Sequence, residues 1–314
     1  MMKKFLNYLL ILTLVPTLLL TSCKDDDDTT PDEPKGTFTD LKNYMVANDM
    51  DLPALLDGWV IAPKMIADGG IVADDYTIPD YHVFDIRGAD DFNAGHIKGS
   101  INVPLADVVT KAADYNDMPI LVVCYSGQTA GRAVMALRLS GYSDAKVMKF
   151  GFSYWSSDGT FDKWSPKVSD IAVGNGNWNT DATAVLPDNN YPTWESTSTD
   201  GATILAERVD AMLANTEWGM SGETVLNDAT DYNIYNFWST EHYELFGHYK
   251  GAYQIMPISI DGDIIKAFPS ADEFMVYCYT GQTSSFTTAW LHVLGYNAKS
   301  IGYGVNGLSY TALE

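Results

Sequence analysis

Apolar and polar residues are arranged along the chain in blocks that predict strands followed by helices, and one such block occurs twice. The apolar runs 120–123 and 274–277 lead directly into Cys124 and Cys278. A short loop with a central glycine follows each cysteine, and apolar residues at helical spacing follow each loop. Both helical stretches end at a Gly-Tyr pair at the same distance from the cysteine. This pattern predicts a strand–loop–helix unit that is present in two copies.

Other predicted strands surround each of these units in the same alternation with helices. Strands are predicted in the first half at 81–85, 101–104 and 146–150, and in the second half at 232–237 and 298–303. Alternating strands and helices are typical of a mostly parallel sheet that helices cover on both faces. We therefore predict an α/β protein with two domains, residues 38–157 and 201–314, each a mostly parallel sheet flanked by helices.

The segment 158–200 between the predicted domains is rich in Asn, Asp, Thr, Ser and Gly. It nevertheless contains Trp164, Trp178 and Trp194, and Trp155 lies just before it. Tryptophan in such polar surroundings is unusual for a flexible linker. We interpret the segment as an interdomain linker whose indole rings hold the two domains together.

The N-terminal segment has the layout of an export signal. Residues 1–22 carry Lys3 and Lys4 ahead of a long Leu/Ile run, without an acidic residue. Leu20-Thr-Ser-Cys23 resembles the lipobox of bacterial lipoproteins, in which the cysteine is lipidated. A transmembrane anchor is the alternative, because the apolar run approaches spanning length. We expect a cell-envelope lipoprotein in the outer membrane, attached through Cys23.

An acidic tether at residues 23–37 is predicted to follow the signal. It contains four consecutive aspartates and two prolines, which favour a solvated segment. The tether is either a plain spacer or a sequence that resembles the acidic surface-export signals of some lipoproteins, so surface exposure stays open.

The charge of the chain excludes two classes of partner. With 41 acidic and 19 basic residues, the 314-residue chain has a formal net charge of −22. Nucleic-acid binding needs a basic surface, and adsorption to anionic lipid needs one too. A membrane link must therefore be the covalent lipid.

Cys124 and Cys278 are candidate nucleophiles because of where the pattern places them. Loop N–H groups and the positive end of the following helix converge on each sulfur, which favours the thiolate. A disulfide between them is the alternative in an exported protein. Matching loop positions in two separate domains rarely lie at bonding distance, so we expect free thiols.

The loops Cys-Tyr-Ser-Gly-Gln-Thr and Cys-Tyr-Thr-Gly-Gln-Thr resemble the active loop of rhodanese sulfurtransferases, Cys-x-x-Gly-x-Thr. Upstream, Asp85-Ile-Arg87 and the Gly-His-Ile-Lys-Gly block at 95–99 resemble the Asp-x-Arg and Gly-His-Ile-x-Gly blocks of that family. The second copy keeps Gly-His-Tyr-Lys-Gly-Ala at 247–252, but Asn236 and Trp238 replace the aspartate and arginine.

The resemblance implies sulfur transfer by double displacement. A thiolate takes a sulfane sulfur from a donor such as thiosulfate, becomes a persulfide, and passes the outer sulfur to a thiophilic acceptor such as a thiol or cyanide. It implies no cofactor. The residues that would line the two sites are Tyr125, Ser126, Gly127, Gln128, Thr129 and Arg132 in the first copy, and Tyr279, Thr280, Gly281, Gln282 and Thr283 in the second. The hydroxyls of Thr129 and Thr283 are expected to face the loop or the sulfur.

Four further charged or titratable positions near the sites have structural interpretations. Asp85 and Arg87 are expected to brace the strand end, with Arg87 paired to Asp90 or Asp91. His96 and His248 are expected to be structural hydrogen-bonding residues, as the resemblance implies. The five histidines and the thiols show no metal-ligand spacing, which predicts no metal.

Arg132 lies in the first turn of the helix after Cys124, where a cation is electrostatically unfavourable. Either it is on the surface, or it guides an anionic donor. The first copy has Asp85, Arg87, Lys98 and Arg132 where the second has Asn236, Trp238, Lys250 and Phe286. Fewer cations imply weaker attraction of a dianionic donor to Cys278.

Three other functions remain to be compared with sulfur transfer. A phosphatase with this loop type needs an arginine six residues after the cysteine, where Ala130 and Ser284 stand, so that function is excluded. A non-catalytic module could carry sulfur or bind a partner protein through the same loops. A structural surface lipoprotein is the third alternative, and it predicts that neither thiol reacts.

Overall fold

The computed structural model describes residues 36–155 and 159–314, and its first half is a parallel five-stranded sheet. The strand order is β1-β5-β4-β2-β3, and every strand pair in it is parallel. The elements in chain order are α1 (Phe38–Ala47), α2 (Leu52–Leu55), β1 (Val60–Ile61), β2 (His82–Asp85), α3 (Ala89–Ala94), β3 (Ile101–Asn102), α4 (Val108–Ala112), β4 (Ile120–Val123), α5 (Gln128–Leu139), β5 (Lys146–Met148) and α6 (Phe152–Trp155).

The second half contains another five-stranded parallel sheet, with the order β10-β8-β11-β12-β7. A short antiparallel pair, β6 with β9, lies beside it. The elements are β6 (Trp178–Asn179), α7 (Gly201–Ala214), β7 (Gly219–Met220), α8 (Gly222–Asn227), β8 (Asn233–Asn236), α9 (Thr240–Phe246), β9 (His248–Tyr249), β10 (Tyr253–Gln254), β11 (Phe274–Tyr277), α10 (Gln282–Val293) and β12 (Ala298–Ile301).

The predicted α/β class, with parallel sheets flanked by helices, is confirmed. All four residues of β4 and all four of β11 are buried, as expected for central strands that helices cover on both faces. The edge strands β1 and β7 contain only two residues each. The long apolar runs therefore predict the central strands well, whereas the two-residue edge strands are too short to give a clear sequence pattern.

The helices that follow the two cysteines pack against each other. The backbones approach closely at Gly131 of α5, where a Cβ would lie 3.2 Å from the backbone nitrogen of Phe286 in α10. Val134 and Ala133 of α5 belong to the same hydrophobic cluster as Phe286 and Trp290 of α10. The two halves therefore share one core, in which the beginnings of both helices lie side by side.

Trp164 contacts both halves of the chain. Its ring lies 4.6 Å from that of Phe150 in the first half and 5.4 Å from that of Tyr303 in the second. Trp178 and Trp194 donate hydrogen bonds to backbone carbonyls of the second half, at Phe246 and Leu294. Through these contacts the polar segment after residue 158 packs against the rest of the protein.

The predicted signal at 1–22 and most of the tether at 23–37, including Cys23, lie outside the described residues. Within the ranges that the structure describes, no helix combines the length and apolarity that crossing a membrane requires.

Candidate active site

Each candidate site is built where a central strand turns into a helix. β4 ends at Val123 and α5 begins at Gln128, so Cys124 lies in the loop between them. Gly127 takes a φ of 80° at the start of α5, and Gly281 takes 75° at the start of α10. Left-handed backbone of this kind strongly favours glycine, because a Cβ would clash with the backbone. The central glycines therefore allow the loops to turn back over the sulfur.

Backbone N–H groups of the loop point at the sulfur of Cys124. The amides of Gly127 and Ala130 donate to Sγ over 3.1 Å and 3.3 Å. The backbone N–H groups of Ser126 and Thr129 also lower the pKa of this thiol. The contribution of Thr129 comes from its backbone, whereas its hydroxyl was expected to be the interacting group. An anion on this sulfur would be stabilised by several fixed dipoles at once.

Burial acts against these N–H groups. The side chain of Cys124 is only 2% exposed, and burial raises the pKa of its thiol above the ordinary value. The N–H groups lower it by less than burial raises it. The expectation that the loop makes the thiolate the favoured form at rest is therefore wrong in direction. The loop N–H groups are instead placed to stabilise a negative charge on a bound substrate or on a persulfide sulfur.

The second site differs in its hydrogen bonds to the sulfur. The amide of Ser284 donates to Cys278 Sγ over 3.3 Å, and the thiol lies 3.6 Å from the Ser284 hydroxyl. That hydroxyl is also hydrogen-bonded to Ser300 at 2.8 Å. In the first site Ala130 stands in place of Ser284. The second sulfur therefore has a side-chain hydroxyl beside it that the first sulfur lacks, a difference that was not predicted from the sequence.

Cys124 and Cys278 are both free thiols, so the expectation that no disulfide joins them is confirmed. Both are buried, with 2% of each side chain exposed.

A cavity of about 730 Å³ opens beside the first loop, and both halves of the chain line it. The loop contributes Tyr125, Ser126, Gln128 and Thr129, and the facing wall includes Trp218, Met220, Ser300 and Tyr303. Lys163 and Lys167 lie on the same cavity, and both are exposed. The Tyr125 hydroxyl donates to Asp91 and accepts from the Gly88 N–H. The cavity can hold a ligand larger than thiosulfate.

The corresponding tyrosine of the second loop is packed among aromatic side chains. Tyr279 lies edge-on to Trp238 with ring centroids 4.4 Å apart, and Phe246 is also in ring contact with it. Its hydroxyl is hydrogen-bonded to His242. The hydroxyl of Thr280 accepts from the Gln282 N–H at 3.4 Å. The two sites therefore differ most at the residues that directly follow the cysteines.

Arg87 pairs with Asp85, not with Asp90 or Asp91. Its Nη2 lies 2.7 Å from Asp85 Oδ2, and Nε donates to both carboxylate oxygens. The guanidinium also donates to the Gly95 carbonyl and lies 3.6 Å from the ring centroid of Phe152. Both side chains are fully buried. The prediction of a brace at the strand end fits this geometry, but its predicted partners were wrong, because a buried guanidinium takes the carboxylate that is buried with it.

Arg132 is completely buried, so the surface alternative for it is wrong. Its Nη2 donates to the carbonyls of Met212 and Asn215, at the C-terminal end of α7. This end of a helix is electronegative and favours a cation. Burial lowers the pKa of Arg132 to about 10. The guanidinium lies 5.2 Å from the ring of Trp218, which lines the cavity.

The two histidines of the Gly-His blocks hydrogen-bond to backbone carbonyls. His96 Nδ1 lies 2.8 Å from the Phe92 oxygen, and the two rings are stacked. His248 is buried, with Nδ1 near the Tyr249 carbonyl and Nε2 near that of Asp181. These contacts suit structural roles. In the part of the chain that the structure describes, no cluster of three or more metal-ligating side chains occurs.

Gln128 and Gln282 reach across the molecule, which their grouping with the loop residues did not predict. Gln282 Oε1 accepts from the Phe150 N–H of the first half at 3.0 Å. Gln128 Oε1 accepts from the Tyr303 N–H of the second half at 2.9 Å. Only the repetition of Gln at the same loop position could have drawn attention to them.

The fold and the loop define an α/β protein in which backbone N–H groups surround a cysteine at the end of a central parallel strand. The part of the chain that contains Cys124 is similar to known proteins. Residues 70–158 match the model of the rhodanese-like domain family. Thiosulfate sulfurtransferase GlpE of Pseudomonas fluorescens is 40% identical over 76 residues, which cover 23% of this chain and 68% of that protein. The chain belongs to the rhodanese-like family through this region.

A second relative matches the same share of the chain, and a solved structure aligns with a larger share. The uncharacterized protein YqhL of Bacillus subtilis is 31% identical over 74 residues, which cover 23% of this chain and 59% of YqhL. The chain thus spans a little more than half the length of that relative. A crystal structure of thiosulfate sulfurtransferase from Pseudomonas aeruginosa aligns with 71% of this chain and 39% of its own, at 16% identity and a TM-score of 0.27.

Proposed function

We propose that this protein is a sulfurtransferase that carries a sulfane sulfur as a persulfide on Cys124. The observation that carries the proposal is the set of loop N–H groups directed at Cys124 Sγ. A persulfide is an anion at neutral pH and projects one atom beyond the buried Sγ. Fixed N–H dipoles stabilise such an anion without reorganisation. Membership of the rhodanese-like family supports the same chemistry.

The proposed reaction has two displacement steps. The Cys124 thiolate attacks the outer sulfur of thiosulfate; the S–S bond of the donor breaks, and sulfite leaves with the electron pair. The new S–S bond makes Cys124 a persulfide. An acceptor such as cyanide or a thiolate then attacks the outer sulfur, and the Cys124 thiolate is the leaving group. No net oxidant, reductant or cofactor is needed.

The second half is proposed to be a second rhodanese-like domain. Its parallel sheet, its cysteine after the central strand β11 and its glycine at the start of α10 match the first half element by element. Cys278 is then a second candidate nucleophile. The domains proposed are residues 38–157 and 201–314, with the linker 158–200 between them.

A non-catalytic sulfur carrier or partner-binding module is the second candidate. The burial of Cys124 and its raised pKa favour slow exchange, because a mostly protonated, 2% exposed thiol is a poor nucleophile. In that case the persulfide would form and persist until a specific partner removes it.

Incubation with thiosulfate followed by cyanide distinguishes these candidates. Intact-mass analysis should show the gain of one sulfur atom after thiosulfate, and cyanide should release thiocyanate with multiple turnovers. A stable mass gain with no turnover would support the carrier. Absence of any mass gain, with thiosulfate and with an organic persulfide as donors, would contradict sulfur transfer and favour a structural lipoprotein.

The proposed partners and location follow from charge and from the N-terminal sequence. Lys163 and Lys167 line the cavity together with Asp91 and Asp162. The donor is proposed to be a small anion that the two lysines bind, and the acceptor is proposed to be a thiol or a cyanide-like nucleophile. We propose that the protein is held at the cell envelope, in the outer membrane, by lipid on Cys23.

Replacement of Cys23 by Ala is expected to abolish metabolic lipid labelling and to release the protein from membranes, because no other lipid attachment is proposed. Membrane fractionation in high salt measures this. A Cys23→Ala protein that stays in the membrane would show instead that the apolar run at 1–22 is a true anchor.

A further inference from the structure

The two cysteine loops exchange hydrogen bonds across the interface between the halves. Gln282 follows Gly281 in the second loop, yet its side-chain oxygen accepts from the Phe150 N–H of the first half. Gln128 makes the equivalent contact with the Tyr303 N–H of the second half. Both glutamine side chains are at least 95% buried. The exchange is reciprocal, and it connects the loop of each half to the other half.

The residues that donate these bonds, Phe150 and Tyr303, begin the segments that support the cysteine loops. The segment 150–153 follows β5, and its Phe152 and Ser153 amides donate to the carbonyls of Cys124 and Tyr125 at 2.7 Å and 2.9 Å. In the second half the amides of Val305 and Asn306 donate to the carbonyls of Cys278 and Tyr279 at 3.1 Å and 3.0 Å. Each cysteine is thus held by a segment whose first amide is bound by the glutamine from the other half.

These support segments have constrained backbones. Phe150 and Tyr303 take φ values of 60° and 61°, which are unusual for residues with a side chain. The adjoining Gly151 lies so close to the first loop that a Cβ would be 2.3 Å from the Cys124 carbonyl oxygen. An unfavourable conformation of this kind persists when surrounding contacts hold it. The bond from the opposite glutamine is one of those contacts.

The glutamines also pass directly over the opposite loops. A Cβ on Gly127 would lie 2.4 Å from Gln282 Oε1, and one on Gly281 would lie 2.4 Å from Gln128 Oε1. Gly127 is also the residue whose amide donates to Cys124 Sγ. Any movement of Gln282 therefore affects the N–H groups around Cys124 as well as their support.

We propose that Gln282 is a positioning residue for Cys124, and Gln128 for Cys278, so that each thiol depends on a residue of the other half. The proposal deepens the proposed function, on which its significance rests. It means that the halves do not act as independent sulfur sites: the N–H groups that stabilise a persulfide on one cysteine are held in place from the other.

The test is the pH dependence of alkylation of each cysteine in the full-length protein. Gln282→Met keeps the side-chain length and removes the acceptor for Phe150. Iodoacetamide reaction of Cys124 and Cys278 is followed separately by peptide mass spectrometry over a range of pH. The midpoint of the Cys124 profile should move up by about one pH unit. The reason is that loss of the Phe150–Gln282 hydrogen bond loosens the loop whose N–H groups stabilise the thiolate. The midpoint of Cys278 should move less.

Gln254→Met is the matched control. Gln254 is also in the second half and donates to the Trp238 carbonyl at 2.6 Å. The same substitution there should leave the Cys124 midpoint unchanged. If Gln282→Met does not fold, Gln282→Asn is used, since its shorter amide also loses the contact while remaining polar.

The proposal is overturned if the Cys278 midpoint moves as far as that of Cys124 or further, or if the control moves Cys124 equally. Gln128→Met is less selective, because Gln128 also donates to Ser126 in its own loop. Alkylation needs only the thiols, so a failure of sulfur transfer in the thiosulfate experiment would leave this test intact and its result separate.

Discussion

Replacement of Cys124 by Ser should remove most thiosulfate-dependent turnover, with a loss on the order of a thousandfold or more, because a hydroxyl cannot form the persulfide. Cys278→Ser should remove only a minor share. Initial rates of thiocyanate formation measure both variants. Intact mass after thiosulfate alone measures loading separately from transfer. The Cys278→Ser protein should still gain one sulfur atom in this measurement.

The physical reason for this ranking is the surroundings of the two loops. Charge differences along the sequence suggested it, but Arg87 is buried and paired with Asp85, and Arg132 is buried with its Nη2 bound to the backbone carbonyls of Met212 and Asn215. The structure supplies another reason. Tyr125 lines an open cavity of about 730 Å³, whereas Tyr279 packs against Trp238 and His242.

The matched control is the double replacement, which should abolish loading altogether. A reversed ranking, with Cys278→Ser the more damaging, would show that the packed second site opens to substrate.

The pH profile gives a further check. Because burial raises the pKa of Cys124, the thiolate fraction is low at neutral pH, and the loading rate should continue to rise above pH 7.

Local sequence patterns were sufficient to predict the central elements. Four-residue apolar runs at 120–123 and 274–277 are long enough to report a buried strand, and both lie in the middle of their sheets. The glycines at 127 and 281 marked the turns that only left-handed backbone permits. Such features depend on a few neighbouring residues, so the sequence alone shows them.

The partners of buried charged and polar groups could not be predicted in the same way. Arg132 binds carbonyls 80 and more residues away, and Gln282 binds an amide 132 residues away. These contacts depend on how the halves pack, and periodicity does not report packing between distant segments. Even for Arg87, the acidic residues at 90 and 91 were predicted as partners because they are near in sequence, although its partner is the buried Asp85.

The pKa of Cys124 shows a related limit. The loop N–H groups and the helix terminus are visible in the sequence, and they favour the thiolate. The depth of burial is a property of the whole fold, and it outweighs them.

Breaking the buried pair of Asp85 and Arg87 should strongly destabilise the protein. Arg87→Met leaves the Asp85 carboxylate buried without its guanidinium partner, and the free energy of unfolding should fall by about 3–5 kcal/mol. Asp85→Asn should have a similar effect, since it leaves the guanidinium uncompensated. Urea denaturation followed by circular dichroism measures both, and the loss should appear as a lower midpoint.

The double variant Asp85→Asn/Arg87→Met should be more stable than the sum of the single losses predicts, because neither charge then remains unpaired. The second half supports this expectation, since Asn236 and Trp238 occupy the equivalent positions without a charge pair. Lys98→Met is the surface control: it breaks the exposed pair with Asp75, and its midpoint should stay at the wild-type value. If Arg87→Met and Asp85→Asn were no more damaging than this control, the pair would not be what holds the end of β2 beside the Cys124 loop.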